Sequence, residues 1–278
     1  MDASGWQSHA PPYAARAAAC FVVCELVYHV ALAVAPKSFA AGDRRTFALK
    51  VVNILHAALV GPLAARALVG RYLFGWDGDA ALAAAVAAAV NLDGAAAPAL
   101  FSGGFGADAA RSLTSITVGF FAWDLYRLDA WAKSSPGERR LMVVHHVVSV
   151  AVWPVAALTG VAGPFLLHFL ATELSSPLLQ GRWYAQAFRG RGSPADAAAS
   201  AAFAAAFVVV RTSNVHVVAS AFAYARPFDG ALHGAVPAWI RLLGTATLGL
   251  PSVLNAVWTA QIALLGKKML LGKKKAKV

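Results

Sequence analysis

The sequence predicts an all-α, polytopic membrane protein with about seven transmembrane helices in a bundle around a central cavity. Three observations carry that expectation. Hydrophobic residues make up 59% of the 278 and charged residues only 13%, about half the charged share of a soluble domain. Apolar runs follow one another along the chain, each reaching the roughly 20 residues that cross the hydrocarbon. Basic residues gather in alternate connections, as the positive-inside rule expects of cytoplasmic loops.

Residues 1–13 lack a basic n-region, so the first apolar run, Ala14 to Val34, is expected to remain as a transmembrane helix. Within it Glu25 and His29 stand four apart and share a face, which suits an inward-turned packing pair. A loop with Lys37, Arg44, Arg45 and Lys50 leads into the second run, Phe47 to Val69, where Asn53 and His56 share a face. The alanine-rich stretch 80–100 reads as a non-cytoplasmic excursion with a short helix, an extra crossing being the alternative. The third run is Leu113 to Trp131, the fourth Arg140 to Thr159 and the fifth Val161 to Gln180. Gly160 and Gly163-Pro164 make the connection between the last two very short, which predicts a tight antiparallel pair. The sixth run is Ala199 to Tyr224 and the seventh Trp239 to Leu265, with a kink expected at Pro251.

The charge pattern orients this bundle. Arg127/Lys133/Arg139/Arg140, Arg182/Arg189/Arg191 and the terminal lysines fall on the same side as the first basic loop. The intervening segments carry Asp77, Asp79, Asp93, Asp108 and Asp229. The expected topology is a lumenal N-terminus and a cytoplasmic C-terminus. Three regions follow: an N-terminal segment with the first helix (1–44), a helical domain (45–268) and a basic tail (269–278).

Topology also accounts for the net charge of +11. No basic stretch is interleaved with aromatics and no nucleic-acid motif is present, so nucleic acid is not an expected partner. The tail LLGKKKAKV approaches a dilysine signal without matching it and suits an anchor for anionic head groups. Cys20 and Cys24, one turn apart, are poorly placed to bond each other and read as packing residues.

The chemistry is sought between Trp123 and Trp183. Asp124, His145, His146, His168 and Glu173 lie there in otherwise apolar runs. Each ionisable group at the bilayer centre costs roughly 2.5–3.5 kcal/mol on insertion scales. A cavity that they line together is the economical explanation; isolated hydrogen bonds between helices are the bland one. On a helix the adjacent His145 and His146 diverge by about 100°, so one can face a cavity while the other is held by a neighbour. Imidazole exchanges protons near neutral pH, which suits a general base. His168, on the following helix, is expected to approach the pair. Arg211 and Asn214 share a face of the sixth run, with Arg211 expected to pair with Asp124 or Glu173, or else to anchor a lipid phosphate or carboxylate. Three histidines and a carboxylate could hold zinc, but no HExxH helix is present and adjacent histidines diverge, so no metal is expected.

The order NILHAALV, WDLYR, HHVVS, His168 followed by ELSSPLLQGRWY, Arg211 and LNAVW resembles the TLC domain family over about residues 45–268. That family includes ceramide synthases, translocon-associated membrane proteins and lipid-homeostasis proteins. The resemblance implies a multi-helix bundle enclosing a cavity for an acyl chain. It implies catalytic roles for His145 and His146, which match the family's pair, and for His168, which falls near its later histidine; the polar residues placed in apolar runs, Asp124, Glu173, Arg211, Asn214 and His56, are the candidate substrate-binding residues. In the family's ceramide synthases aspartate follows the later histidine; here Phe169 follows His168. ELSSPLLQGRW is closer to the less-characterised branch tied to membrane lipid composition.

The expected function is therefore lipid homeostasis, binding or modifying an acyl lipid in the cavity. The alternatives are sphingoid-base N-acyltransfer through His145/His146, with acyl-CoA as co-substrate, and non-catalytic help in membrane-protein insertion or traffic. No cofactor is expected. The expected partners are membrane lipids, with a homodimer left open. The expected location is the endoplasmic reticulum or another endomembrane.

Overall fold

In an apolar solvent a helix satisfies its own backbone, and helix is the regular structure of every element described here. The structure, a computed structural model, describes residues 3–74, 107–131, 136–159, 163–225, 239, 242, 249, 251–264 and 266. Within those stretches the side chains of 3–7, 69–74, 107, 138, 159, 163–164 and 212–225 are not among those described.

The elements are α1 (Ala3–Val34), α2 (Ala41–Phe74) and α3 (Ala107–Tyr126). A 3-10 turn at Leu128–Trp131 leads to α4 (Pro136–Thr159). Then come α5 (Gly163–Ala171), a second 3-10 turn at Thr172–Ser175, α6 (Ser176–Arg189), α7 (Pro194–Ala225) and α8 (251–264). The alanine-rich stretch 80–100 and the basic tail lie outside the described residues. So does the chain just before Pro251, where a kink was expected.

Among the described residues, four segments are long and apolar enough to cross a membrane: Ser8–Val34, Ala41–Leu68, Arg139–Leu158 and Pro194–Arg211. Their outer faces carry apolar ridges at helical spacing. Val22, Leu26, Val30 and Val34 line α1, and Leu55, Leu59 and Leu63 line α2, all exposed as a lipid-facing surface requires.

The third run is not one of those four, for a physical reason. α3 is the axis of the bundle, packed among α1, α2, α4 and α5. A helix surrounded by protein need not be oily on every face. Thr114, Ser115 and Thr117 are fully buried there. Each hydroxyl donates to a carbonyl of its own helix: Thr114 to Ala110 at 2.5 Å, Ser115 to Ser112 at 2.7 Å and Thr117 to Leu113 at 3.0 Å. Close approach of α1 is permitted by Gly119, where a Cβ would sit 2.2 Å from the Ala17 carbonyl oxygen.

α1 is further fastened by charge. The Glu25 carboxylate accepts from Trp123 Nε1 at 2.9 Å and from Arg127 Nε at 2.9 Å, with a second contact to the Arg127 guanidinium. His29 lies 2.9 Å from the same carboxylate. The expected Glu25–His29 pair thus exists, but its imidazole is 59% exposed rather than turned inward. The carboxylate's main partners are on α3 and just beyond it.

The fifth run departs from a single spanning helix. α5 stops at Ala171, and the TELS turn follows. Thr172 Oγ1 donates to the Phe169 carbonyl at 2.6 Å and Ser175 Oγ to the Thr172 carbonyl at 2.9 Å, both three residues back. Pro177 then opens α6 without an N–H to continue the ladder. The connection 160–162 lies outside the described residues, and α5 packs mainly on α2 and α3 rather than on α4 as the short hairpin suggested. α6 and α7 form a hairpin through Gly190 and Gly192, whose φ values of 86° and 78° suit glycine.

Candidate functional site

Helices that cannot pack their polar residues against lipid must turn them to one another, and here they enclose a cavity of about 700 Å³. α2 contributes Lys50, Asn53 and His56, α3 contributes Phe120, Phe121 and Asp124, and α4 contributes Leu141, Met142, His145, His146 and Trp153. The far wall is Phe169, the TELS turn and the start of α6, closed by Phe203, Phe207 and Arg211 of α7 and by Leu254, Asn255 and Trp258 of α8.

The most ordered constellation is built on His146. Its Nδ1 lies 3.1 Å from Oδ2 of Asp124, with both side chains almost fully buried. The other carboxylate oxygen, Oδ1, accepts from Trp131 Nε1 at 3.1 Å. The His146 ring stacks on Phe121 at 4.3 Å with an interplanar angle of 17°. A carboxylate only accepts, so it favours the proton on Nδ1 and leaves the Nε2 lone pair free to take one. His145 does not diverge from the site. It also lines the cavity, its ring centroid 5.4 Å from that of His146.

His56 lines the cavity from α2. It is buried, stacks on Phe120 at 3.9 Å, and lies 3.2 Å from Thr117 Oγ1 through Nε2. The Thr117 proton is already given to Leu113, so Nε2 carries the hydrogen and Nδ1 is an acceptor. Among the described residues nothing bonds that Nδ1, nor Asn53 Oδ1 nor Gln180 Oε1, all three on cavity-lining residues.

Arg211 pairs with neither carboxylate proposed for it. Its Nε donates to Ser175 Oγ at 3.3 Å and a terminal nitrogen donates to Asn255 Oδ1 at 3.0 Å. The guanidinium sits 5.0 Å from the Phe207 ring centroid and 5.7 Å from that of Trp258. Asp124 is engaged by His146, and the Glu173 carboxylate lines the cavity with no hydrogen bond or contact ion pair to another described residue, its charge acting on Arg211, His56 and His145 across space.

His168 is not among the lining residues. Its neighbour Phe169 is, and successive residues on a helix point about 100° apart. The break after Ala171 brings Thr172, Glu173, Ser175 and Ser176 to the cavity together, because positions three apart eclipse in a 3-10 turn. Asn214 lies on α7, but its side chain is outside the described ones. Among the described residues no cluster of histidine, cysteine, aspartate and glutamate has metal-binding geometry.

Asn255 and Trp131 were not singled out beforehand. Asn255 belongs to the LNAVW motif and could have been flagged as an amide in an apolar run. Trp131 had no local signal, since its role depends on the 3-10 turn that folds it back onto Asp124.

The family model described as TLC domain matches residues 47–264, which takes in every cavity-lining residue. No curated protein and no solved structure matches the chain.

Proposed function

The chain belongs to the TLC domain family, and on that premise we propose that it acts in membrane lipid homeostasis by binding or modifying an acyl lipid inside the cavity. One observation carries the reading. An Asp124–His146 pair, buried and oriented, borders a cavity whose other surfaces are largely aromatic and aliphatic. A volume of about 700 Å³ is within the range of ligand sites and holds the polar end and upper chain of one lipid.

The same pair favours a specific second reading, N-acyl transfer from an acyl thioester to a long-chain amine. Asp124 holds the imidazole, and His146 Nε2 takes a proton from the amine as its nitrogen attacks the thioester carbonyl. The C–N bond forms, the C–S bond breaks, and the departing thiolate receives the proton. His145 and His56 supply further polar groups on the cavity wall, from α4 and α2. In this chain Phe169 occupies the position after His168, and Asp124 supplies the carboxylate that an imidazole base requires.

Purified protein given acyl-CoA and a long-chain base is expected to form the N-acyl product, and His146→Ala to abolish it. Undiminished turnover in His146→Ala rejects the histidine mechanism. A wild-type protein that carries no lipid in mild detergent rejects the binding reading.

A further inference from the structure

We propose that the cavity is built for a zwitterionic lipid headgroup, a phosphate on Arg211 and an ammonium beside Glu173. The proposal rests on the lipid-cavity reading above and adds the ligand's charge pattern.

Arg211 and Glu173 line the same cavity and carry opposite charges, yet among the described residues they form no ion pair within 4.0 Å. Direct pairing would be the cheapest way to keep two ions in a low-dielectric interior. Each is instead held in place by something else. Arg211 is fixed by two neutral acceptors, Ser175 and Asn255, and by the faces of Phe207 and Trp258. Neutral acceptors satisfy N–H groups without neutralising the charge, the Glu173 carboxylate acts on it only across space rather than in contact, and a guanidinium does not shed its proton.

Glu173 is fixed through the backbone. The TELS turn lies against α2 at Gly61, where a Cβ would be 2.8 Å from Leu174 N and 3.1 Å from the Glu173 carbonyl carbon. With no side chain at 61, α2 packs closely on the backbone of the turn, which sets where the Glu173 side chain leaves it for the cavity. Two separated, opposite charges with space between them are complementary to a ligand that carries both charges itself. A neutral lipid leaves the two ions compensated only by each other at a distance, and an anionic lipid leaves Glu173 repelled. A long-chain amine leaves Arg211 bare. The guanidinium fork suits phosphate oxygens, which makes an amine-bearing phospholipid the matching class.

The experiment is competitive lipid retention by the purified full chain, read by native mass spectrometry. The probes are phosphatidylethanolamine, phosphatidic acid, diacylglycerol and a long-chain amine at equal concentration. Wild type is expected to retain phosphatidylethanolamine over each competitor by about tenfold, the worth of one charge-assisted contact. Glu173→Gln should erase the preference over phosphatidic acid, and Arg211→Gln the preference over the long-chain amine. Should Arg211→Gln not elute as a monodisperse species, Asn255→Ala tests the same end and should weaken that preference. Equal retention of diacylglycerol by wild type overturns this proposal and leaves the lipid-cavity reading intact. So does a phosphatidylethanolamine preference that survives Glu173→Gln. Retention of no probe at all overturns both.

Discussion

His146 and Asp124 sit on different helices, α4 and α3, yet their facing atoms are 3.1 Å apart with side chains only 5% and 2% exposed. Burial removes the water that would otherwise compete for the carboxylate, so the orientation of the ring is fixed before any substrate arrives. Trp131 holds the second carboxylate oxygen, which prevents Asp124 from rotating away.

If this pair is the base, both members matter. His146→Ala is expected to lower acyl transfer by about 10²–10⁴-fold, the usual worth of a general base. Asp124→Asn keeps the shape but loses the charge and the acceptor that sets the tautomer, and is expected to cost up to about 10⁴-fold, as the same change does in a Ser-His-Asp triad. Trp131→Phe should cost less than either. Initial rates with a labelled acyl thioester, alongside melting temperatures, separate lost chemistry from lost folding.

Packing at the two helix crossings gives a second, activity-independent prediction. Gly61→Ala drives a methyl group into the Leu174 backbone and is expected to destabilise by about 1–3 kcal/mol, the cost of overpacking. Gly119→Ala meets the Ala17 carbonyl at 2.2 Å and should be worse. Gly181, on α6, has nothing within 4 Å of its would-be Cβ. Gly181→Ala should be neutral or stabilise by up to about 1 kcal/mol, since alanine favours helix. Thermal unfolding in detergent ranks all three.

Glu25 lies outside the span matched by the family model, yet it binds Trp123 and Arg127 beside Asp124. Glu25→Gln is expected to cost about 1 kcal/mol, the net value of a partly exposed charged hydrogen bond. Its effect on acyl transfer should be smaller than that of Asp124→Asn. Equal losses in the two variants would mean that α1 positions the site rather than bracing it.

Much of this arrangement was legible in the sequence because cost is legible. Of the five residues that stand out as expensive in apolar runs, Asp124, His145, His146 and Glu173 line the cavity and His168 does not; His56, noted on the second run, lines it too. The apolar runs gave the helices, because length and hydropathy are local properties. What depended on long-range packing could not be read. The partners of Arg211 are 36 and 44 residues away in sequence, on different elements. The interruption at Thr172–Ser175 arises from hydroxyls bonding back three residues and from Pro177. Those residue types also occur in unbroken helices. His168 looked equivalent to its neighbours until the register of α5 turned Phe169, not the imidazole, to the cavity. The buried hydroxyls of α3, Thr114, Ser115 and Thr117, belong to a helix packed by protein on nearly every side.

The most direct measurement is native mass spectrometry of the full chain against a variant with its cavity filled, Leu141→Trp. Leu141 lines the cavity and is only partly buried, so a larger ring there occupies ligand space with little cost to the core. A lipid that stays with wild type through mild detergent, and is displaced in Leu141→Trp without loss of the folded species, is the expected result. A wild-type protein that flies empty, or a lipid retained equally by both, contradicts a lipid-holding cavity between these helices.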